Sequence, residues 1–239
     1  MYFDLKYDLR KYKILSMERK DMDAMYKLWK DDEGCENSPC TADSYFNIDP
    51  QGYFKGVIGD EIVSTILALR YSSDFAFIGY FIVNKHLRNK HLGTKLFNIA
   101  LEYCEDRTIE LISVENQIER YKKIGFSAYG VISTFQGKVS HSKVDFNIQK
   151  YDENAHLDDI VSYDQDCFPA NRKEFLKSWL KKDDTKTFVF YDKNNKLSGY
   201  GSIYKNVTEY VISPCYCDSK EIAKAVIGSL INSVDENAK

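Results

Sequence analysis

The chain has 239 residues, 44% of them hydrophobic and 18 of them tyrosine, which is enough apolar material for a core and excludes a disordered polymer. Its 36 acidic residues against 33 basic ones leave a net charge of −3, so no overall positive field draws it to nucleic acid. No apolar run approaches the ~20 residues of a membrane span, and Met1 to Lys6 lacks the apolar core of a signal peptide, so a cytoplasmic protein is expected.

Taken in chain order, periodicity predicts a strand over 12–17 and a helix over 21–29, with Met22, Met25, Tyr26 and Trp29 on one side. A polar stretch over 31–50 follows, with a short helix over 42–46. Residues 52–58 and 61–71 read as strands joined at Gly59-Asp60, a hairpin signal. The aromatic run 75–83 is the next strand, and 94–105 is a helix with Leu96, Ala100 and Tyr103/Cys104 at helical spacing. A strand over 108–114, a helix over 116–124 and a strand over 126–136 close the first half.

The second half repeats the opening of the first. A strand over 143–150 leads to helices over 157–168 and 171–181, separated at Pro169. Strands over 185–191 and 197–204 flank the turn Asp192-Lys193-Asn194-Asn195-Lys196, a strand over 208–213 follows, and a helix over 219–234 ends the chain.

Residues 83–96 hold the strongest chemical signal. From Phe75 to Leu101 there is no Asp or Glu, although the chain's overall frequency would place about four there. Lys85, Arg88, Lys90 and Lys95 sit on or beside the turn between strand and helix. That arrangement offers free backbone N–H groups and a positive dipole end to an anion, and a polyphosphate is the economical ligand.

Arg88-Asn89-Lys90-His91-Leu92-Gly93 resembles the Arg/Gln-x-x-Gly-x-Gly/Ala signature of the GNAT superfamily of acyl-CoA-dependent N-acyltransferases. Tyr121-Lys122-Lys123-Ile124-Gly125-Phe126 resembles that superfamily's second hallmark, the Tyr-x-x-x-Gly-Phe that ends its fourth helix. His91 stands where the family usually has its first glycine. The resemblance implies an α+β fold with a mixed sheet, an acyl-CoA N-acyltransferase unit over 1–140 and a truncated second such unit over 141–239. In the second unit the turn Pro214-Cys215-Tyr216-Cys217-Asp218-Ser219-Lys220-Glu221 carries acids and no Arg-x-x-Gly-x-Gly, which would repel a pyrophosphate.

The resemblance also implies the site. Phe81, Ile82 and Val83 would pair with the pantetheine arm of acetyl-CoA, and the main chain across Asn89, Lys90, His91, Leu92, Gly93 and Thr94 would hold the pyrophosphate, with Arg88 and Lys90 adding charge. Tyr121 falls at the position of the general acid, a phenol able to protonate a leaving thiolate. Asn116 caps its helix and stands near the place of a cofactor-binding asparagine, five residues before the tyrosine rather than seven. A base that deprotonates the amine is expected from Asp43, Asp74 or Tyr80, since the donor strand itself carries no acid.

The acceptor would be a small-molecule or peptide amine, its pocket lined by the 31–50 stretch and the second unit, in a monomer or a homodimer. A catalytically silent acyl-CoA-binding module is the alternative. The six cysteines are expected as free thiols in a reducing compartment. Neither Cys35-x4-Cys40, Cys215-x-Cys217 nor His86-x4-His91 has the partners of a structural zinc site, so no metal is expected.

Overall fold

The computed structural model describes residues 7–34, 39–144 and 146–235. The first unit contains β1 (Tyr12–Ser16), α1 (Met22–Glu33), α2 (Pro39–Ile48), β2 (Tyr53–Ile58), β3 (Glu61–Arg70), β4 (Phe75–Val83), α3 (Leu92–Cys104), β5 (Thr108–Leu111) and the short α4 (Ile118–Lys122). The second contains β6 (Ile148–Lys150), α5 (Glu153–Cys167), α6 (Lys173–Leu180), β7 (Thr185–Tyr191), β8 (Leu197–Lys205), β9 (Tyr210–Cys217) and α7 (Lys220–Asn232). Both are α+β units with their own sheet.

Sheet one runs β1-β2-β3-β4-β5, antiparallel except for the parallel β4–β5 pair. Sheet two runs β6-β7-β8-β9, antiparallel throughout. In each, a pair of helices precedes the second strand and one helix follows the fourth. The second unit thus repeats the element order of the first as far as its third helix.

Apolar faces explain the layering. Leu96, Phe97, Ala100 and Cys104 form one buried stripe on α3, which lies on sheet one against Ile66, Ala68, Ala76 and Ile78, while Leu92 packs with Ile58, Val63 and Leu87. Met22 and Met25 of α1 and Ala42 of α2 cover the opposite face with Tyr53, Leu67 and Leu69. Being covered on both sides, β3 is buried almost throughout, which is why it reads as a continuous apolar run. Sheet two repeats this, with Val226 and Leu230 of α7 on one face and α5–α6 on the other. The two helix pairs face each other, and Tyr45 and Ile48 of α2 pack into the core built on Phe175 and Trp179 of α6.

Several boundaries differ from expectation. The strand expected over 126–136 does not form, and 126–144 has no regular structure. Apolar residues on both faces of that stretch call for a neighbour on each side, yet β5 stops at Leu111 and no ladder reaches it. Val131 and Phe135 are consequently 93% exposed. Helix 116–124 resolves into a 3-10 turn over Glu115–Gln117 and α4, and Gln117 rather than Asn116 stands at the N-cap of α4, without a side-chain bond. β9 continues through Cys217, so most of the stretch expected as a turn before the last helix is strand. The strand over 143–150 shrinks to β6, whereas the helix over 42–46 grows into α2. Met1 to Lys6, Cys35 and the side chain of Cys40 lie outside the described residues.

Candidate active site

The parallel β4–β5 ladder is short. It starts at Phe75 opposite Thr108 and ends at Ile78 opposite Leu111. Beyond that point β5 has finished while β4 continues from Gly79 to Val83, bonded to β3 on one side only. One edge of β4 therefore carries backbone groups with no ladder partner, which is costly unless something else takes them up.

Within this open half, β4 bulges. Thr65 pairs with Ile82 and Leu67 with Gly79, so Ile66 faces both Tyr80 and Phe81. Tyr80 takes φ +49°, a left-handed conformation rare for a non-glycine residue, and the hydroxyl of the fully buried Thr65 donates to its carbonyl at 3.1 Å. That bond fixes the direction of the neighbouring peptide. Sequence reasoning missed Thr65, although a Ser-Thr pair inside an apolar strand is a visible signal.

Past β4, a 3-10 turn over Lys85–Leu87 leads to Arg88 and then to α3. Asn89 and His91 both adopt left-handed φ, +62° and +60°. At His91 this is the conformation that the expected glycine would adopt freely. The first bond of α3 runs from Lys95 N to His91 O at 3.2 Å, and the His91 side chain caps nothing. The amides of Leu92, Gly93 and Thr94 thus precede the helical ladder, with no acid in the first turn and exposed Lys90 and Lys95 beside them. Gly93 lets α3 come close to β4: a Cβ there would lie 3.1 Å from Val83 Cγ2 and 3.2 Å from Phe81 Cζ.

The expected site residues divide by what their side chains do. Ile82 and Leu92 are buried in the core, so only their backbones can serve a ligand. Arg88 turns back: its Nε donates to Val83 O at 2.9 Å and its Nη2 reaches Glu33 Oε1 at 2.5 Å. Phe81 packs on Phe97 of α3 at 5.4 Å, and Tyr121 packs on the same ring at 5.8 Å. This brings Tyr121 to the wall of the cleft from the α4 side. Asn116 is exposed, and its side chain hydrogen-bonds no described residue.

Tyr121 is half-buried, with Phe126 6.0 Å away, and its hydroxyl has no hydrogen-bond partner among the described residues. Burial raises its pKa above that of a free phenol, and the nearby Arg120 charge opposes this only in part. The candidates for a base are dispersed. Asp43 accepts from Arg19 at 3.0 Å, and Asp74 lies just before β4, at the end remote from the bulge, where it accepts from Ser72 at 2.6 Å. Tyr80 sits at the bulge, but burial among Tyr45 and Tyr26 drives its pKa well upward, which keeps it protonated.

The second unit has the same bulge in the same place, and different residues in it. Gly201 pairs with Cys215 and Ile203 with Ile212, so Ser202 faces Ser213 and Pro214. Pro214 thus stands where Phe81 stands in β4, with no N–H to donate, and Gly201 replaces Thr65, with no hydroxyl. The start of α7 is closed as well: Ser219 Oγ accepts from Ile222 N at 3.2 Å, and its own backbone N–H and Ser219 hold the Glu221 carboxyl below its usual range.

Comparison with known proteins bears on the family and the fold. A family model described as Acetyltransferase (GNAT) family matches residues 22–126, and one described as Acetyltransferase (GNAT) domain matches 160–238. The chain belongs to the GNAT acetyltransferase family. It carries two GNAT-like units in tandem. Over 197 residues it is 24% identical to the holothin acyltransferase of Pseudoalteromonas sp. strain SANK 73390, covering 82% of this chain and 66% of that protein. An uncharacterised Caenorhabditis elegans protein is 25% identical over 182 residues, 70% of this chain and 58% of that one. Among solved structures, a putative acetyltransferase from Pyrococcus horikoshii shares the fold with a TM-score of 0.76 at 17% identity, over the whole of this chain and 79% of that one. A GCN5-related N-acetyltransferase from Kribbella flavida gives 0.57 at 13% identity, over 99% and 64%.

Proposed function

We propose that the protein is an N-acyltransferase that moves an acetyl group from acetyl-CoA to an amine, with the chemistry confined to the first unit. The observation that carries this reading is the open, bulged half of β4 leading directly into the uncapped, acid-free start of α3. The residues present fit an acyl-CoA. The edge groups of β4 left without a ladder partner beyond Ile78 suit the amides of a pantetheine arm, the Val83 carbonyl excepted, which Arg88 Nε already holds. The amides across Asn89 to Thr94 suit a diphosphate.

The chemistry follows from what each part supplies. The amine nitrogen attacks the thioester carbonyl, and its oxygen, gaining negative charge, needs a fixed donor; the Phe81 amide at the bulge is that donor. As the C–S bond breaks, the sulfur takes the Tyr121 proton. The raised pKa keeps this phenol protonated at neutral pH and still able to give its proton to a thiolate. The amine sheds its own proton to water or to a carboxylate at the acceptor end. Arg88 acts chiefly by shaping the turn, since its guanidinium is engaged with Val83 and Glu33, and Lys90 supplies the free charge.

Calorimetric titration with acetyl-CoA, followed by a free-thiol release assay over an amine panel, tests the reading. Holothin belongs in that panel because a relative is named for acylating it. Binding with thiol release is the expected result. Binding without release on any amine would favour a silent acyl-CoA-binding module, and no binding would remove the assignment.

A further inference from the structure

The end of α1 contradicts a basic rule of helix electrostatics. Asp31, Asp32 and Glu33 occupy its last positions, where the negative dipole end disfavours acids. The carboxylates of Asp32 and Glu33 are engaged with the turn before α3, more than fifty residues away, whereas that of Asp31 pairs with Lys27 one turn back on the same helix. Asp32 Oδ2 accepts from the Lys85 backbone N at 2.6 Å, the Asp31 carbonyl accepts from Lys85 Nζ at 3.3 Å, and Glu33 Oε1 accepts from Arg88 Nη2 at 2.5 Å. Arg88 in turn grips Val83 O at 2.9 Å, so the acids, the end of β4 and the turn form one connected brace.

The stretch that this brace holds has a reason to need holding. Within three residues, Asn89 and His91 both sit in left-handed conformations, each disfavoured for a residue with a Cβ. A glycine at position 91 would populate that conformation unaided. With histidine there, something outside the turn must stabilise the shape, and the only described carboxylate on Arg88 is that of Glu33.

We propose that Asp32 and Glu33 are positioning residues for the diphosphate of the acyl donor: they brace Lys85 and Arg88 so that the turn 88–94 is already shaped when the donor arrives, compensating for the histidine at position 91. The inference rests on the reading that this turn grips a diphosphate. Neither carboxylate touches the donor. They act on its affinity through the amides they hold in place.

The test is a double-mutant cycle read by calorimetric titration with coenzyme A. Glu33→Gln and Asp32→Asn each weaken binding by about three- to fivefold, the size of one partly exposed ion pair or charged hydrogen bond, and the loss falls on the donor's Kd and KM rather than on kcat. In the His91→Gly background the Glu33→Gln loss shrinks to less than about twofold, because glycine no longer needs the brace. Glu33 is 41% exposed, so the variant folds, and a melting curve verifies this. An undiminished loss in the His91→Gly background would make Glu33 a general structural contact and overturn the proposal. So would unchanged affinity in both single variants, or tighter binding in Glu33→Gln, which would mean that the acid competes with the ligand for Arg88. Wild-type protein that fails to bind coenzyme A would instead remove the site assignment, and this proposal with it.

Discussion

At the scale of single residues, Tyr121 and Thr65 separate chemistry from support. Tyr121→Phe keeps the ring that packs between Phe97 and Phe126 and removes only the proton. Turnover should fall by about 10²-fold or more while coenzyme A affinity measured by calorimetry stays the same. Because burial raises the phenol's pKa, the wild-type rate should hold through neutral pH and decline only at strongly alkaline pH, as the proton is lost. The variant should lack that decline. Thr65→Val is nearly isosteric and removes the donor that fixes the Tyr80 carbonyl. A buried carbonyl left unpaired costs about 1–3 kcal/mol in denaturant unfolding, and kcat should drop as the bulge amide loses its aim. Tyr121 was legible because its motif is contiguous, with six residues carrying the signal. Thr65 was not, because what it holds lies on the next strand, and Glu33 was not, because its partner lies 55 residues away.

Among elements, those that bury one regular stripe were legible, and those that depend on a partner were not. The period of Leu96, Ala100 and Tyr103/Cys104 gave α3 to within two residues at either end, since one apolar face is enough to dock a helix. Residues 126–136 show the limit: alternation specifies a strand only if an edge is there to receive it. β9 shows the reverse, running through Pro214, which stands at the bulge, a position where a strand tolerates the loss of an N–H. How α1 is anchored was also hidden. Lys55 on β2 reaches Asp21 Oδ2 at 2.6 Å, both side chains being nearly buried. Burial alone would raise the Asp21 carboxyl, but the Glu18 backbone N–H and Lys55 outweigh it and hold the group below its usual range. A depressed folded-state pKa contributes stability that is present above the unfolded value, near 3.9, and is lost as pH falls through the folded one. Lys55→Met should therefore cost about 3 kcal/mol at pH 7, where it strands a buried carboxylate, and progressively less below about pH 4. Denaturant midpoints of the two proteins across that range check the sign.

At the scale of the whole molecule, the repeat was legible and its consequence was not. The order of strands and helices announced a second unit, but only the packing shows that it meets the first through a shared aromatic seam. Tyr45 of α2 stacks on Phe175 of α6 at 5.4 Å, and Phe168 inserts beside Tyr71 and Phe75 at 5.3 and 5.9 Å. Behind the seam, Arg172 forms a bidentate pair with Asp164 at 2.7 Å while its guanidinium lies over Phe168. This buried pair locks the segment that presents Phe168 and Phe175. With proline at the bulge and its helix start capped, the second unit lacks the groups that the first is proposed to use, and a supporting role is proposed for it. If so, the units unfold together. Wild-type protein should melt in one transition, whereas Phe175→Ala, which removes the ring shared by Tyr45 and Trp179, should cost about 3–5 kcal/mol and separate the melt into two. Coenzyme A should then raise the transition of the first unit alone, since a ligand stabilises only the unit that binds it. Calorimetric scans of the variant with and without coenzyme A would show this, and an upward shift of both transitions would place a second binding site in the second unit.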